Sequence, residues 1–106
     1  MSSYTIEITE PAEQDLHEIG RYIAIELVEP AVAKRVIEKL AEAILKLEEL
    51  PLRNALVADE ALALQGMRKM LVDNYIIFYV VSEEQRKVTV VRILYSRRDW
   101  INLIGL

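Results

Sequence analysis

Apolar and polar residues alternate with period two at the start of the chain. In YTIEIT, residues 4–9, Tyr4, Ile6 and Ile8 point one way and Thr5, Glu7 and Thr9 the other, which predicts a half-buried strand. The period then lengthens. Ala12, Leu16, Ile19, Ile23 and Leu27 recur at helical spacings and predict a helix from about Pro11 to Leu27 with one apolar stripe. Thr9 is placed to cap it, and a proline in the first turn costs no hydrogen bond. Gly20 interrupts the stripe and points to a close helix contact. Pro30 disfavours helical geometry at Glu29 and ends the run. A second stripe, Ala33, Ile37, Leu40, Ile44 and Leu47, predicts a helix over 31–50. The short proline-containing link makes the two an antiparallel hairpin.

Residues 51–65, PLRNALVADEALALQ, have mixed periodicity and are read as an irregular connection with a turn of helix at 59–64. After Gly66 the pattern returns to strands: MRKMLV, YIIFYVV and KVTVVRILY, separated by the turn signals DN and SEEQR. Short links between neighbouring strands imply an antiparallel meander. The middle strand is apolar on both faces, so it should be central or covered on both sides. The expected fold is α+β: an N-terminal strand at a sheet edge, an antiparallel helical hairpin packed on a mainly antiparallel four-stranded sheet, and a short last helix over about 98–104. Neither linker nor repeat interrupts residues 1–106, which are read as a single domain.

Composition narrows the class. Hydrophobic residues make up 53% of the 106 residues and there is no cysteine, so disulfide and thiolate chemistry are excluded. No apolar run approaches the roughly 20 residues needed to cross a bilayer, and the opening MSSYTIEITE lacks the form of a leader. The expectation is a cytoplasmic protein without membrane contact. The net charge of −4 is unevenly distributed. Residues 1–65 hold 6 Lys/Arg against 13 Asp/Glu, and residues 66–106 hold 7 against 4. A basic last third on an acidic chain suggests a local anion-facing patch.

Candidate chemistry is sparse. His17 is the single histidine, too few for a metal site without cysteines to help and lacking a nucleophile at motif spacing. Glu10, Glu13 and Asp15 suit a helix N-terminus, and Glu38, Glu42, Glu48 and Glu49 suit a wet helix face. With three glycines, a phosphate-cradling loop is not expected. No metal or cofactor is expected. The cations remain: Arg68 and Lys69 on the first meander strand, pointing to opposite faces, Arg92 on the last, and Arg97 and Arg98 at its end. Such guanidinium groups grip phosphate or carboxylate bidentately.

Taken together, ITEPAEQDLHEIGRYI, GMRKMLVDNYIIFYVV and VRILYSRRDW resemble the RelE/ParE family of toxins from type II toxin–antitoxin (plasmid stabilisation) modules. The resemblance spans nearly the whole chain and implies the fold derived above. It also implies a growth-inhibiting toxin bound by a cognate antitoxin, and leaves open a homodimer or a toxin–antitoxin hetero-oligomer. RelE-like members are ribosome-dependent, metal-independent messenger RNA endonucleases (mRNA interferases). ParE-like members bind DNA gyrase and are not enzymes of that kind. For a RelE-like enzyme, the resemblance implies catalytic roles for Lys69, Arg97 and Arg98, with Tyr95 stacking on a base or serving as an acid. For a binding protein, the residues themselves suggest partner or phosphate contacts at Arg68, Arg92, Arg97 and Arg98. Exposed apolar residues around Ile76, Phe78 and the groove beside the hairpin would then meet the antitoxin.

The chain departs from the RelE-like pattern. Ile76 follows Tyr75 where those enzymes commonly place arginine, Met67 stands where a second strand lysine would, and the family's C-terminal tyrosine falls later than Tyr95. Each missing cation would cost about 2–4 kcal/mol of transition-state stabilisation, by analogy with a lost oxyanion donor. The ending RILYSRRDW is closer to the ParE-like pattern. The sequence therefore favours a ParE-like gyrase inhibitor, with a RelE-like nuclease and an inactive antitoxin-binding member as alternatives.

Overall fold

A computed structural model describes residues 3–98 and 103–104. Its sheet has four strands: β1 (Thr5–Ile8), β2 (Arg68–Val72), β3 (Tyr75–Ser82) and β4 (Lys87–Tyr95), in the order β1-β4-β3-β2. The meander is antiparallel as the short links require, and β1 takes the expected edge, running parallel to β4. Val72 pairs with Tyr75 across the two-residue turn, where Asp73 adopts φ 53°, a conformation aspartate tolerates better than most residues. A bulge interrupts β3–β4: Phe78 pairs with Arg92 and Tyr79 with Val90, leaving Val91 between them.

Helix α1 (Glu10–Arg21) starts at the expected cap, where the Thr9 hydroxyl accepts the Ala12 N–H at 3.2 Å and donates to the Val91 carbonyl at 2.9 Å. One side chain thus closes the helix start and ties it to β4. The predicted helical run extends through Glu26, but its last part, Tyr22–Glu26, is a π turn. Helix α2 (Pro30–Lys46) stops short of the expected residue 50. Leu47 is still buried, but the chain turns after Lys46 so that the Glu48 carbonyl accepts the Tyr4 N–H at 2.7 Å. Gly20 permits the helix contact the sequence suggested, since a Cβ there would lie 3.3 Å from Ile37 Cγ1 on α2. The 51–65 connection holds a 3-10 turn, Pro51–Arg53, and a short helix α3 (Glu60–Leu64) capped by Asp59. Of the helix expected over 98–104, residues 99–102 lie outside the described residues; Leu103 and Ile104 are helical.

Both faces of the sheet are covered, as the doubly apolar middle strand demanded. On one face Ile77 and Tyr79 join Val72, Val88, Val90 and Ile93 beneath Ala12, Leu40, Ile44 and Leu47 of the hairpin. On the other, Ile76 and Phe78 pack with Met67, Leu94, Val57 and Leu62, and Leu103 and Ile104 lie against them. Among the described residues no helix is long and apolar enough to cross a membrane.

Candidate functional site

The strand β1 ends at Ile8, level with Val90, so the outer edge of β4 beyond Val90 needs another cover. Helix α1 supplies it through Asp15. Its carboxylate accepts the Ile93 N–H at 2.9 Å and takes the Arg92 guanidinium in a two-point grip, Nε to Oδ2 at 2.7 Å and Nη2 to Oδ1 at 2.9 Å. The remaining Arg92 nitrogen, Nη1, donates to the Leu103 carbonyl at 2.8 Å. The pair is largely sheltered, with side-chain exposures of 21% for Arg92 and 11% for Asp15. Its hydrogen bond to Asp15 raises the Arg92 pKa; burial opposes the rise, and the charges of Asp15 and Glu18 add to it. Arg92 therefore has an internal carboxylate where the sequence suggested a free phosphate ligand.

Arg68 is also committed internally. Its Nη1 donates to the Asn54 carbonyl at 2.6 Å and more weakly to that of Leu52 at 3.4 Å. Lys69 pairs with Phe78 and so lies on the face of the second apolar cluster, half-buried. Arg97 and Arg98 are exposed just past β4. Arg98 lines a groove on the hairpin side of the sheet, so the structure does not bring it together with Lys69. Ile76 and Phe78, expected among the exposed apolar residues, are 6% and 0% exposed. The expectation failed because α3 and the segment before it roof that face, with Val57 and Leu62 directly on them.

The groove itself has a volume of about 1040 Å³. It runs between the hairpin, which gives Ile19, Tyr22, Leu27 and Val36, and the strand ends, which give Tyr75, Ile93, Tyr95 and Arg98. Tyr95 sits edge-on to Tyr75 with ring centroids 5.9 Å apart, and burial, then the proximity of Tyr95 and Tyr22, raises the Tyr75 pKa above its ordinary 10.0. Tyr22, Leu27 and Tyr95 are 56%, 52% and 40% exposed, so the groove offers apolar area to a partner. Of its charged residues, Asp73 is bound to Lys39 at 2.8 Å and Asp15 to Arg92. Glu18 and Arg98 form no ion pair among the described residues. The groove was expected beside the hairpin, but Asp15, Tyr22 and Tyr75 were not singled out. Asp15 carried a readable signal: it lies three residues after Ala12 and four before Ile19, on the buried stripe, where a carboxylate needs a partner. No comparable signal marks Tyr22, whose position depends on the π turn.

The family model described as "ParE toxin of type II toxin-antitoxin system, parDE" matches residues 6–100. No curated protein matches the chain. Among solved structures, the fold resembles the chromosomal ParDE system from P. aeruginosa, with TM-score 0.71, 18% identity, and 87% of this chain and 95% of that one covered. It also resembles the RelBE2 toxin–antitoxin complex from Mycobacterium tuberculosis, with TM-score 0.66, 22% identity and coverage of 88% and 98%. A free mutant of the E. coli toxin RelE aligns with TM-score 0.67, 17% identity and coverage of 97% and 94%.

Proposed function

Because this chain belongs to the ParE toxin family of type II toxin–antitoxin systems, we propose that it inhibits growth by binding a protein, DNA gyrase, and that a cognate antitoxin holds it inactive. The observation that carries the reading against RNA cleavage is the burial of Met67 and Ile76. These are the positions where RelE-like enzymes, which this chain resembles in outline, would hold cations. Here the two residues are 4% and 6% exposed and pack with Phe78, Val57, Leu62 and Leu94. Cleavage through a ribose 2′-hydroxyl needs a proton acceptor, a proton donor and converging positive charge. The separate engagements of four of the cations support the reading against cleavage: Arg92 holds Asp15, Arg68 holds backbone carbonyls, and Lys69 lies on the face opposite the Arg98 groove.

The antitoxin would occupy the groove beside the hairpin, where Tyr22, Leu27 and Tyr95 present exposed apolar area. The fold is shared with the ParDE toxin–antitoxin system of P. aeruginosa and the RelBE2 toxin–antitoxin complex of Mycobacterium tuberculosis, which supports an antitoxin partner for this chain.

Induced expression in a bacterial host with pulse labelling tests the target. Expected first is a fall in DNA synthesis, with purified gyrase losing supercoiling activity in the presence of the protein. If instead protein synthesis stops first, and Arg97→Ala/Arg98→Ala abolishes the effect, the ribosome-dependent nuclease replaces the gyrase reading.

A further inference from the structure

The two edges of the sheet are finished differently. On β1 the exposed residues are Thr5 and Glu7, the polar finish that keeps a sheet from pairing with other chains. The opposite edge, β2, is covered only at its start. There the Val57 N–H donates to the Met67 carbonyl at 3.0 Å, and the Lys69 N–H to the Ala55 carbonyl at 3.2 Å. Beyond Lys69 the cover ends, because the chain before Ala55 turns through Pro51–Arg53. Outward-facing backbone groups recur at every second residue of an edge strand, so Leu71 is the next to face out. Its N–H and C=O find no partner among the described residues. The residue is 66% exposed, at a position where edges are usually blunted by lysine or proline.

Apolar surface flanks this gap on both sides of the sheet. Leu71 lies opposite Ile76, on the roofed face. On the hairpin face the exposed Leu45 and Leu50 line a groove of about 590 Å³ with Met70. The charges nearby are of both signs: Lys46 and Arg53 with Glu48 and Glu49 in the groove, and Lys39 bound to Asp73 at the turn. A partner of one sign, such as a nucleic acid, gains little from such a surface, whereas a copy of the same surface offers both signs in return. The register points the same way. An added strand must bond at Leu71, the one residue of β2 with both backbone groups free. If that strand is β2 of a second copy, running antiparallel about a two-fold axis, Leu71 faces Leu71, Met70 faces Val72, and Lys69 faces Asp73. Apolar meets apolar, and no like charges stand opposite each other.

We propose that a second copy of this chain covers the β2 edge, pairing at Leu71 and joining two four-stranded sheets into one continuous sheet. Sedimentation of the purified chain without antitoxin should show a reversible dimer. Leu71→Lys and Leu71→Pro should melt near the wild-type temperature, because the residue is exposed and its N–H bonds nothing within the chain. Both should weaken dimerisation at least about tenfold. Leu71→Cys adds a thiol to a chain that has none. Mild oxidation should link two copies through it, since Cα atoms of a hydrogen-bonded pair lie about 5.5 Å apart, within disulfide reach. Leu64→Cys, more exposed but on α3, should stay unlinked at the same concentration. A wild-type chain that remains monomeric up to about 100 µM overturns the proposal. So does a dimer that survives Leu71→Lys, or one that links as readily through Leu64→Cys. If the free chain is monomeric and Leu71→Lys instead weakens antitoxin binding, the edge belongs to a strand of the antitoxin. None of these outcomes depends on gyrase, so the reading of the target stands or falls separately.

Discussion

A single phenol holds the irregular 51–57 segment against the sheet. Tyr79 is fully buried; its hydroxyl donates to the Pro51 carbonyl at 2.6 Å and accepts from Asn54 Nδ2 at 3.1 Å. Tyr79→Phe leaves that carbonyl and amide without their partner and should cost about 1–2 kcal/mol, measured by urea unfolding at neutral pH. Burial raises the Tyr79 pKa above 10.0, with the Asn54 hydrogen bond and the Arg68 charge pulling the other way. The folded chain thus holds the phenolic proton more tightly than the unfolded one. The stability linked to it is complete below the unfolded value of about 10 and is lost as pH rises through the folded value. Wild type should lose stability faster than Tyr79→Phe above about pH 10. Some slope should survive in the variant because Tyr75 is raised in the same direction. Identical alkaline limbs would show that the phenol ionises as freely folded as unfolded.

Between elements, α1 completes a strand edge that β1 leaves open. A carboxylate at Asp15 replaces the missing neighbour of β4 at Ile93 and fixes Arg92, which in turn holds the Leu103 carbonyl. Asp15→Ala should cost about 3 kcal/mol, since it strands a sheltered guanidinium and an edge N–H. Asp15→Asn should cost less, because the amide oxygen still accepts from Ile93. Denaturant midpoints of the two variants check the order, and equal losses would mean that the Ile93 hydrogen bond contributes nothing. This junction also marks how far the sequence could be read. The strands, the hairpin and the two-sided cover of β3 follow from local periodicity: Tyr4, Ile6 and Ile8 for the edge strand, Leu40 and Ile44 for the hairpin, Ile76 to Tyr79 for the centre. The Asp15–Arg92 pairing joins residues 77 apart, and neither local pattern nor charge specifies it. The roof over Ile76 and Phe78 was equally hidden, because Val57 and Leu62 come from a stretch without period. The π turn was hidden too, since Ile19, Ile23 and Leu27 keep α-helical spacing through it.

At the scale of the whole molecule, apolar area left open on one side should make stability depend on the partner. Tyr22, Leu27 and Tyr95 are half exposed around a groove whose walls come from elements far apart in sequence. A ligand that binds this arrangement and not the unfolded chain stabilises by mass action, about 2.7 kcal/mol at 100 times its dissociation constant. For a chain of this size that raises the melting temperature by roughly 10–20 °C. Scanning calorimetry with and without the antitoxin encoded beside the toxin should therefore show a large upward shift. Tyr22→Ala should leave the free protein's melting temperature nearly unchanged, because that side chain is 56% exposed, yet shrink the antitoxin-induced shift by several degrees. Lys69→Ala, on the opposite face, should change neither. Were Lys69→Ala to reduce the shift and Tyr22→Ala to preserve it, the antitoxin would have to lie across the roofed face of the sheet. Binding there would first require α3 or the Leu103–Ile104 segment to lift from Phe78 and its neighbours, and the free energy of that opening would be subtracted from the affinity.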